Sequence, residues 1–196
     1  AGNLASSNVT ISTGSNAGGG ANAESYGLGH IALQGDFNYS GAAARTLTFN
    51  ADADIWVEGN VTASAGALSL NFNAPGDRVL LNGNVTTRGG SVSFNTGAVH
   101  FQKTSGTQSI VTGGGSLDFG ASNIYLLRLP GSDAVTLDTG AGALNLGSGL
   151  VGYTTARYSI VADGANLLSW SGRRGPGVHD LGVYIESGKE YTLRLW

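Results

Sequence analysis

Cysteine is absent from the 196-residue chain, which excludes disulfides, thiolate zinc sites and a thiol nucleophile. Methionine is absent too, including at position 1. No signal-peptide pattern opens the sequence, so it reads as a mature or excised segment of something longer. Charge is sparse: 10 basic and 13 acidic residues leave a formal charge of −3. That balance offers no basic footprint for nucleic acid or for an anionic membrane. The longest apolar run falls far short of the roughly 18 residues that a membrane-spanning helix needs. Helix signals are nearly missing as well, because glycine interrupts every stretch long enough to carry a 3.6-residue apolar stripe.

What is present is a repeat. Thr46–Asn50, Leu70–Asn73, Ser91–Asn95, Ser116–Gly120 and Ala143–Gly147 restate one short alternation of apolar and polar residues. The residue that closes the apolar set recurs at positions 49, 72, 94, 119 and 146, at intervals of 23, 22, 25 and 27. A second apolar pair follows each copy: Ile55/Val57, Val79/Leu81, Val99/Phe101 and Ile124/Leu126. A third lane holds Val61, Val85, Ile110 and Val135. Glycine, Asn, Asp and Pro separate the lanes, and these are turn residues. One such element cannot bury its apolar face alone, whereas a stack can. The chain is therefore expected to be all-β, a right-handed parallel β-helix with three short strands per coil of about 24 residues. If the period ran the whole length, about eight coils at roughly 4.8 Å spacing would make a rod about 40 Å long. Asn50, Asn73 and Asn95 end the same strand in successive coils, either as simple strand ends or as a side-chain ladder.

Residues 1–150 carry the clear coils. From 151 to 196 the beat blurs, and that stretch holds four of the seven Tyr, two of the three Trp and five of the ten basic residues. It reads as degenerate coils forming either a C-terminal cap of the same domain or a docking segment, since an open solenoid end must be covered.

Candidate chemistry is thin. His30, His100 and His179 are scattered, and only His179 has a neighbouring carboxylate, Asp180; a triad with Ser169 or Ser171 rests on nothing but chain order. Asp52 and Asp54 alternate around Ala53, and with Glu58 they form a weak candidate for a hard cation or an acid/base pair. Arg78 and Arg88 could lie in adjacent coils beside them. Trp56, Tyr125, Trp170 and Tyr184 are candidate ligand contacts, because amphipathic aromatics suit sugar faces and interfaces. Arg173 and Arg174, in a glycine-bounded loop, could meet an anionic glycan. No dinucleotide loop, phosphate loop or calcium nonapeptide is present, and no cofactor is implied. Asn8, Asn38, Asn60 and Asn84 open glycosylation sequons, three of them in the Asn-Val-Thr form that the repeat itself generates.

The succession Leu4-Ala5-Ser6-Ser7-Asn8-Val9-Thr10-Ile11-Ser12-Thr13, then Gly29-His30-Ile31-Ala32-Leu33, then Arg45–Ile55, then Gly59-Asn60-Val61-Thr62-Ala63 resembles filamentous-haemagglutinin-type exoproteins of two-partner secretion. The resemblance covers roughly residues 4–100. It implies a right-handed β-helix within a large secreted or cell-surface bacterial adhesin, exported through an outer-membrane transporter partner. The amino-terminal secretion module of those proteins is not in this sequence, so an internal or distal piece of the rod is expected. The functional expectation is thus a structural and adhesive rod, not an enzyme, whose partners are a carbohydrate or a cell-surface receptor, with no nucleic acid. Two alternatives stand beside it: a β-helical polysaccharide lyase or hydrolase using Asp52, Asp54 and Glu58, and a filament subunit that associates end to end.

Overall fold

The computed structural model describes residues 2–13, 29–126 and 134–147, together with the backbone of five later strands. One short helix, α1 (Gly2–Ser6), opens it, followed by β1 (Val9–Ser12), β2 (Ile31–Leu33), β3 (Phe37–Tyr39), β4 (Arg45–Asn50), β5 (Ile55–Val57) and β6 (Val61–Ala63). Next come the long strands β7 (Leu68–Leu81) and β9 (Val92–Phe101) on either side of β8 (Val85–Thr86). Then follow β10 (Gln108–Val111), β11 (Leu117–Asp118), β12 (Asn123–Leu126), β13 (Ala134–Asp138) and β14 (Leu144–Asn145). The last five are β15 (Val151–Tyr153), β16 (Tyr158–Ala162), β17 (Ala165–Ser169), β18 (Gly177–His179) and β19 (Tyr191–Leu195).

These strands stack as a parallel β-solenoid with three lanes. In the first lane, Val9, Leu47, Leu70, Val92, Leu117 and Leu144 occupy one inward column, each the direct partner of the next. Two residues along, Ile11, Phe49, Phe72 and Phe94 form a second column in the same register. Ring centroids in the run Phe49–Phe72–Phe94–Phe119 lie 5.3, 5.2 and 5.0 Å apart with interplanar angles of 14° or less. Each ring is almost wholly removed from water, which contributes about 1.5–3 kcal/mol per side chain before entropy is charged against it. The second lane runs Ile31, Ile55, Val79, Val99, Ile124 and Val151 in register. Because β7 and β9 continue round the corner, the first two lanes belong to one sheet and the third lane to another.

The third lane corrects one expected pairing. Ile110 stands opposite Leu137, and Val135 stands opposite Gln108. Both Val135 and Leu137 are inward and buried, so a slip of two residues preserves the face and leaves the apolar pattern unchanged.

The coil corners are tied by side chains. At the start of many strands a polar side chain accepts the backbone N–H of the residue one coil further on. Asp36, Asn60 and Asn84 serve Asn60, Asn84 and Ser109 in turn, at 2.7, 2.9 and 3.0 Å. Asn8 does the same for Thr46 at 2.9 Å. Three of the four sequon asparagines are therefore rungs of these corner ladders, which gives their recurrence a structural cause. At another corner Thr87, Thr112 and Thr139, all fully buried, each donate a hydroxyl hydrogen bond to the carbonyl of the glycine three residues on. There the coils approach so closely that a Cβ on Gly115 would sit 2.2 Å from the Gly90 carbonyl oxygen; only glycine fits. The asparagine run is in register at Asn50, Asn73 and Asn95, and Asn73 donates to Asn50 Oδ1 at 2.7 Å.

The ends differ from an unbroken eight-coil rod. α1 lays Leu4, 3% exposed, over the first rung. Past β15 the described pairings are antiparallel: β18 on β15, β19 on β13 and β16, and β17 on β16. The change of composition near residue 150 thus coincides with a change from parallel to antiparallel pairing.

Candidate functional site

Inward positions are dictated by stacking, so any site must be sought among the outward residues of the three faces. Along the first lane the outward column Thr48, Asn71, Ser93, Asp118 and Asn145 is joined to itself. Asn71 donates to Thr48 Oγ1 at 3.3 Å, Ser93 donates to Asn71 Oδ1 at 2.9 Å, and Asn145 donates to Asp118 Oδ1 at 2.8 Å. The outward face of the third lane carries Asn38, Thr62 and Thr86 in register.

The second lane is different. Its outward column is Ala32, Trp56, Leu80, His100 and Tyr125. Trp56, His100 and Tyr125 are half-buried. Leu80 points outward by strand alternation, yet is only 5% exposed, since it lies between Trp56 and His100 in the register. The His100 and Tyr125 rings meet edge to face at 4.9 Å. From Trp56 to Tyr125 the column spans three rungs, about 14 Å.

Polar margins flank this stripe. On the side towards the first lane, Asp54 is buried and receives three hydrogen bonds from Arg78. The backbone N–H and Nε reach Oδ1 at 3.0 Å, and an amino group of the guanidinium reaches Oδ2 at 2.5 Å. The Asp54 side chain is 3% exposed and that of Arg78 51%. The hydrogen bond to Asp54 holds the guanidinium above its ordinary pKa, against a smaller opposing effect of desolvation. Burial pushes the His100 imidazole below its ordinary value; the nearby Arg78 charge adds to that shift and Asp54 opposes it. On the other margin Glu58, Asn82 and Gln102 follow directly after Val57, Leu81 and Phe101, which share one column. A groove of about 540 Å³ opens there between Trp56, Glu58, Leu80 and Asn82 and the segment from Gln102 to Ser105.

The residues singled out from sequence fare unequally. Trp56 and Tyr125 share the outward column. Trp170, Arg173, Arg174 and Tyr184 lie outside the described residues. Asp52, Asp54 and Glu58 do not form a metal cluster: Asp52 is exposed, Asp54 is buried under Arg78, and among the described residues no group of three His, Asp or Glu could hold an ion. His100, weighed in the sequence only as one of three scattered histidines, joins that column, and Leu80, Asn82, Gln102 and Lys103 carry no motif of their own. Their signal was the same beat that located the core, since Leu80 falls 24 residues after Trp56. Among the described residues no helix is long and apolar enough to cross a membrane. No family model, no curated protein and no solved structure matches the chain.

Proposed function

We propose that the chain is a structural and adhesive rod segment of a secreted or surface-exposed bacterial adhesin, in keeping with its resemblance to two-partner secretion exoproteins. The rod holds its second-lane face towards a glycan or a cell-surface receptor, and an outer-membrane partner serves its export. The observation that carries this reading is the outward column Trp56–Leu80–His100–Tyr125. Stacking requires apolar residues on the inside, and nothing in the coil geometry requires an aromatic stripe on the outside. Such a stripe with polar margins is the usual make-up of a recognition surface. The test is a glycan-array and cell-binding screen with the purified chain and with a Trp56→Ala/Tyr125→Ala double variant. Binding by the parent and its loss in the variant is the expected pair of results; a parent inert on every surface contradicts the adhesive role.

End-to-end association is a second reading, favoured by the first rung. Among the described residues no strand pairs with the outer edges of β1, β2 and β3. Ile11 there is 42% exposed beside a hollow lined by Leu4, Val9, Leu33, Phe37, Leu47 and Phe49. Light scattering across a concentration series separates the two: growth of long particles supports filament formation, and an unchanging monomer removes it.

A further inference from the structure

We infer that a second copy of this chain docks head to head on the first rung, about a two-fold axis through the first lane, so that β1 pairs with the partner's β1 and β2 with the partner's β3. The inference rests on the end-to-end reading, and adds to it which end is used and where association stops, at two copies.

What the first rung lacks defines what can fill it. β1, β2 and β3 pair on one side with β4, β5 and β6 of the second coil. Among the described residues nothing pairs with their other edges. A row of free backbone N–H and C=O groups is met along its length only by another extended strand. The inward columns stop at the same place. Leu47, Phe49, Val57 and Val61 are buried, while Val9, Leu33 and Phe37, one rung nearer the end, are only partly covered. Ile11 is the one exposed large apolar side chain among the described residues. The occupant must therefore bring strand edges and inward apolar residues together, as a coil of this kind does.

The shapes of the two ends select the coil. The first rung is level, since each of its three strands lies one step from the second coil. At the other end the described strands continue unequally past the coil of β11, β12 and β13. The first lane adds β14, the second adds β15 and β18, and the third adds β19, β16 and β17. The lanes there finish at heights that differ by about 5 and 10 Å. A level end cannot meet a stepped end along all three sides, whereas two level ends meet flush. The same surface is then used on both copies, and such a contact closes on itself.

Strand length and alternation place the axis. A two-fold perpendicular to the first lane turns β1 antiparallel onto its own copy. It also carries the partner's β3 over β2, and both strands are three residues long. With Thr10 opposite the partner's Thr10, Val9 faces the partner's Ile11, while Ile31 and Leu33 face the partner's Tyr39 and Phe37. Every inward residue then stays over an inward apolar residue. Shifting β1 by two residues would instead set Val9 against the partner's Thr13.

The helix α1 competes for this end. Its Leu4 covers part of the interior and leaves a hollow of about 330 Å³. Arg45 ties it down, with Nη2 donating to the Ser6 carbonyl at 3.2 Å and reaching that of Ala5 at 3.5 Å. A five-residue helix has little stability of its own, so loosening that tie favours the pair.

The experiment is sedimentation velocity of the full chain over a concentration series. Ile11→Lys, Arg45→Ala and Leu4→Ala are run beside it, each shown by circular dichroism to keep the parent β signal. A reversible monomer–dimer equilibrium that goes no further than two copies is expected. Ile11→Lys should raise its dissociation constant about tenfold or more, and Arg45→Ala and Leu4→Ala should lower it. Opposed residues of an antiparallel pair have Cα atoms about 4.5–5.5 Å apart, within disulfide range. Mild oxidation of Thr10→Cys should therefore give a covalent dimer, and Thr62→Cys, two rungs' sides away from the contact, should give none. Particles that grow past the dimer overturn the head-to-head arrangement and keep end-to-end association. A monomer at every concentration, in the parent and in both α1 variants, removes both. A dimer undiminished by Ile11→Lys and not trapped by Thr10→Cys puts the contact elsewhere and overturns the inference. Glycan and cell binding through Trp56 and Tyr125 is decided separately from all of these.

Discussion

The first-lane and second-lane outward faces are built on the same sheet, rung for rung, over the same kind of apolar interior, yet they use their side chains in opposite ways. Thr48, Asn71, Ser93, Asp118 and Asn145 are small and polar, and the hydrogen bonds among them run along the rod. That face contributes to cohesion and leaves little apolar surface for a partner. Trp56, Leu80, His100 and Tyr125 make a broad stripe that strand pairing does not call for, with a groove at its margin. A solenoid constrains its inner columns tightly and its outer columns hardly at all. An outer column that departs from small polar residues is accordingly where function is to be sought.

The contrast is sharpest when inward and outward residues of one strand are compared. Phe72→Ala should cost about 3–5 kcal/mol in denaturant unfolding, through the cavity left in the phenylalanine stack. Its outward neighbour Asn71→Ala should cost about 1–2 kcal/mol, from the loss of its hydrogen bonds to Thr48 and Ser93. Equal losses would mean that the two sides of β7 are not inside and outside.

Arg78→Ala comes next. It strips the buried Asp54 carboxylate of its guanidinium and should cost about 1–3 kcal/mol, with Arg78→Lys recovering part of that, since a lysine cannot make the forked contact. A neutral effect would show that Asp54 is not held as a corner tie.

Smaller still should be Tyr125→Ala, about 1 kcal/mol or less in stability, largely from its ring contact with His100. Its effect on binding should be far greater than its effect on folding. Asn145→Ala on the first-lane face should show the reverse, with stability slightly lowered and binding untouched.

The smallest expected effect is that of pH. The folded state holds the His100 imidazole below its ordinary pKa, so between the unfolded value, about 6.5, and the lower folded one the unfolded chain binds more protons. Stability contributed by this site is then present above pH 6.5 and is lost as pH falls through that window. Melting curves from pH 7.5 to 5 should show a shallow decline that His100→Gln diminishes. A decline of the same depth in that variant would assign it to other groups.

Much of this was legible in the sequence because stacking writes the same demand every two dozen residues. Phe49, Phe72 and Phe94, and the pairs Ile55/Val57 and Val79/Leu81, are where the apolar beat places them. Two-residue alternation makes Val135 and Leu137 equivalent inward candidates, and only the hydrogen-bonded register chooses Leu137 as the partner of Ile110. The switch to antiparallel pairing after β15 is not legible, because an alternating strand reads alike whether its neighbour runs parallel or antiparallel. The sequence points to one corner ladder, at Asn50, Asn73 and Asn95, and leaves the others hidden for another reason. Thr87, Thr112 and Thr139 look like ordinary turn residues until the period is applied to polar positions as well as apolar ones, and Asp54 reads as a site carboxylate until its 24-residue spacing to Arg78 is taken as a corner tie. At Trp56 and Tyr125 the residue types suggest contacts, but the groove beside Trp56 depends on which rungs are neighbours.

The absence of cysteine from the chain makes that neighbourhood directly measurable. Thr62 and Thr86 are register partners on adjacent rungs, whereas Thr62 and Val111 stand two rungs apart. Adjacent rungs, at about 4.8 Å, fall within the Cα range of a disulfide, and a two-rung separation falls outside it. A Thr62→Cys/Thr86→Cys variant should oxidise to an intramolecular disulfide while Thr62→Cys/Val111→Cys stays reduced. Cross-linking of the second pair, or failure of the first, would contradict the stacked register on which both faces depend.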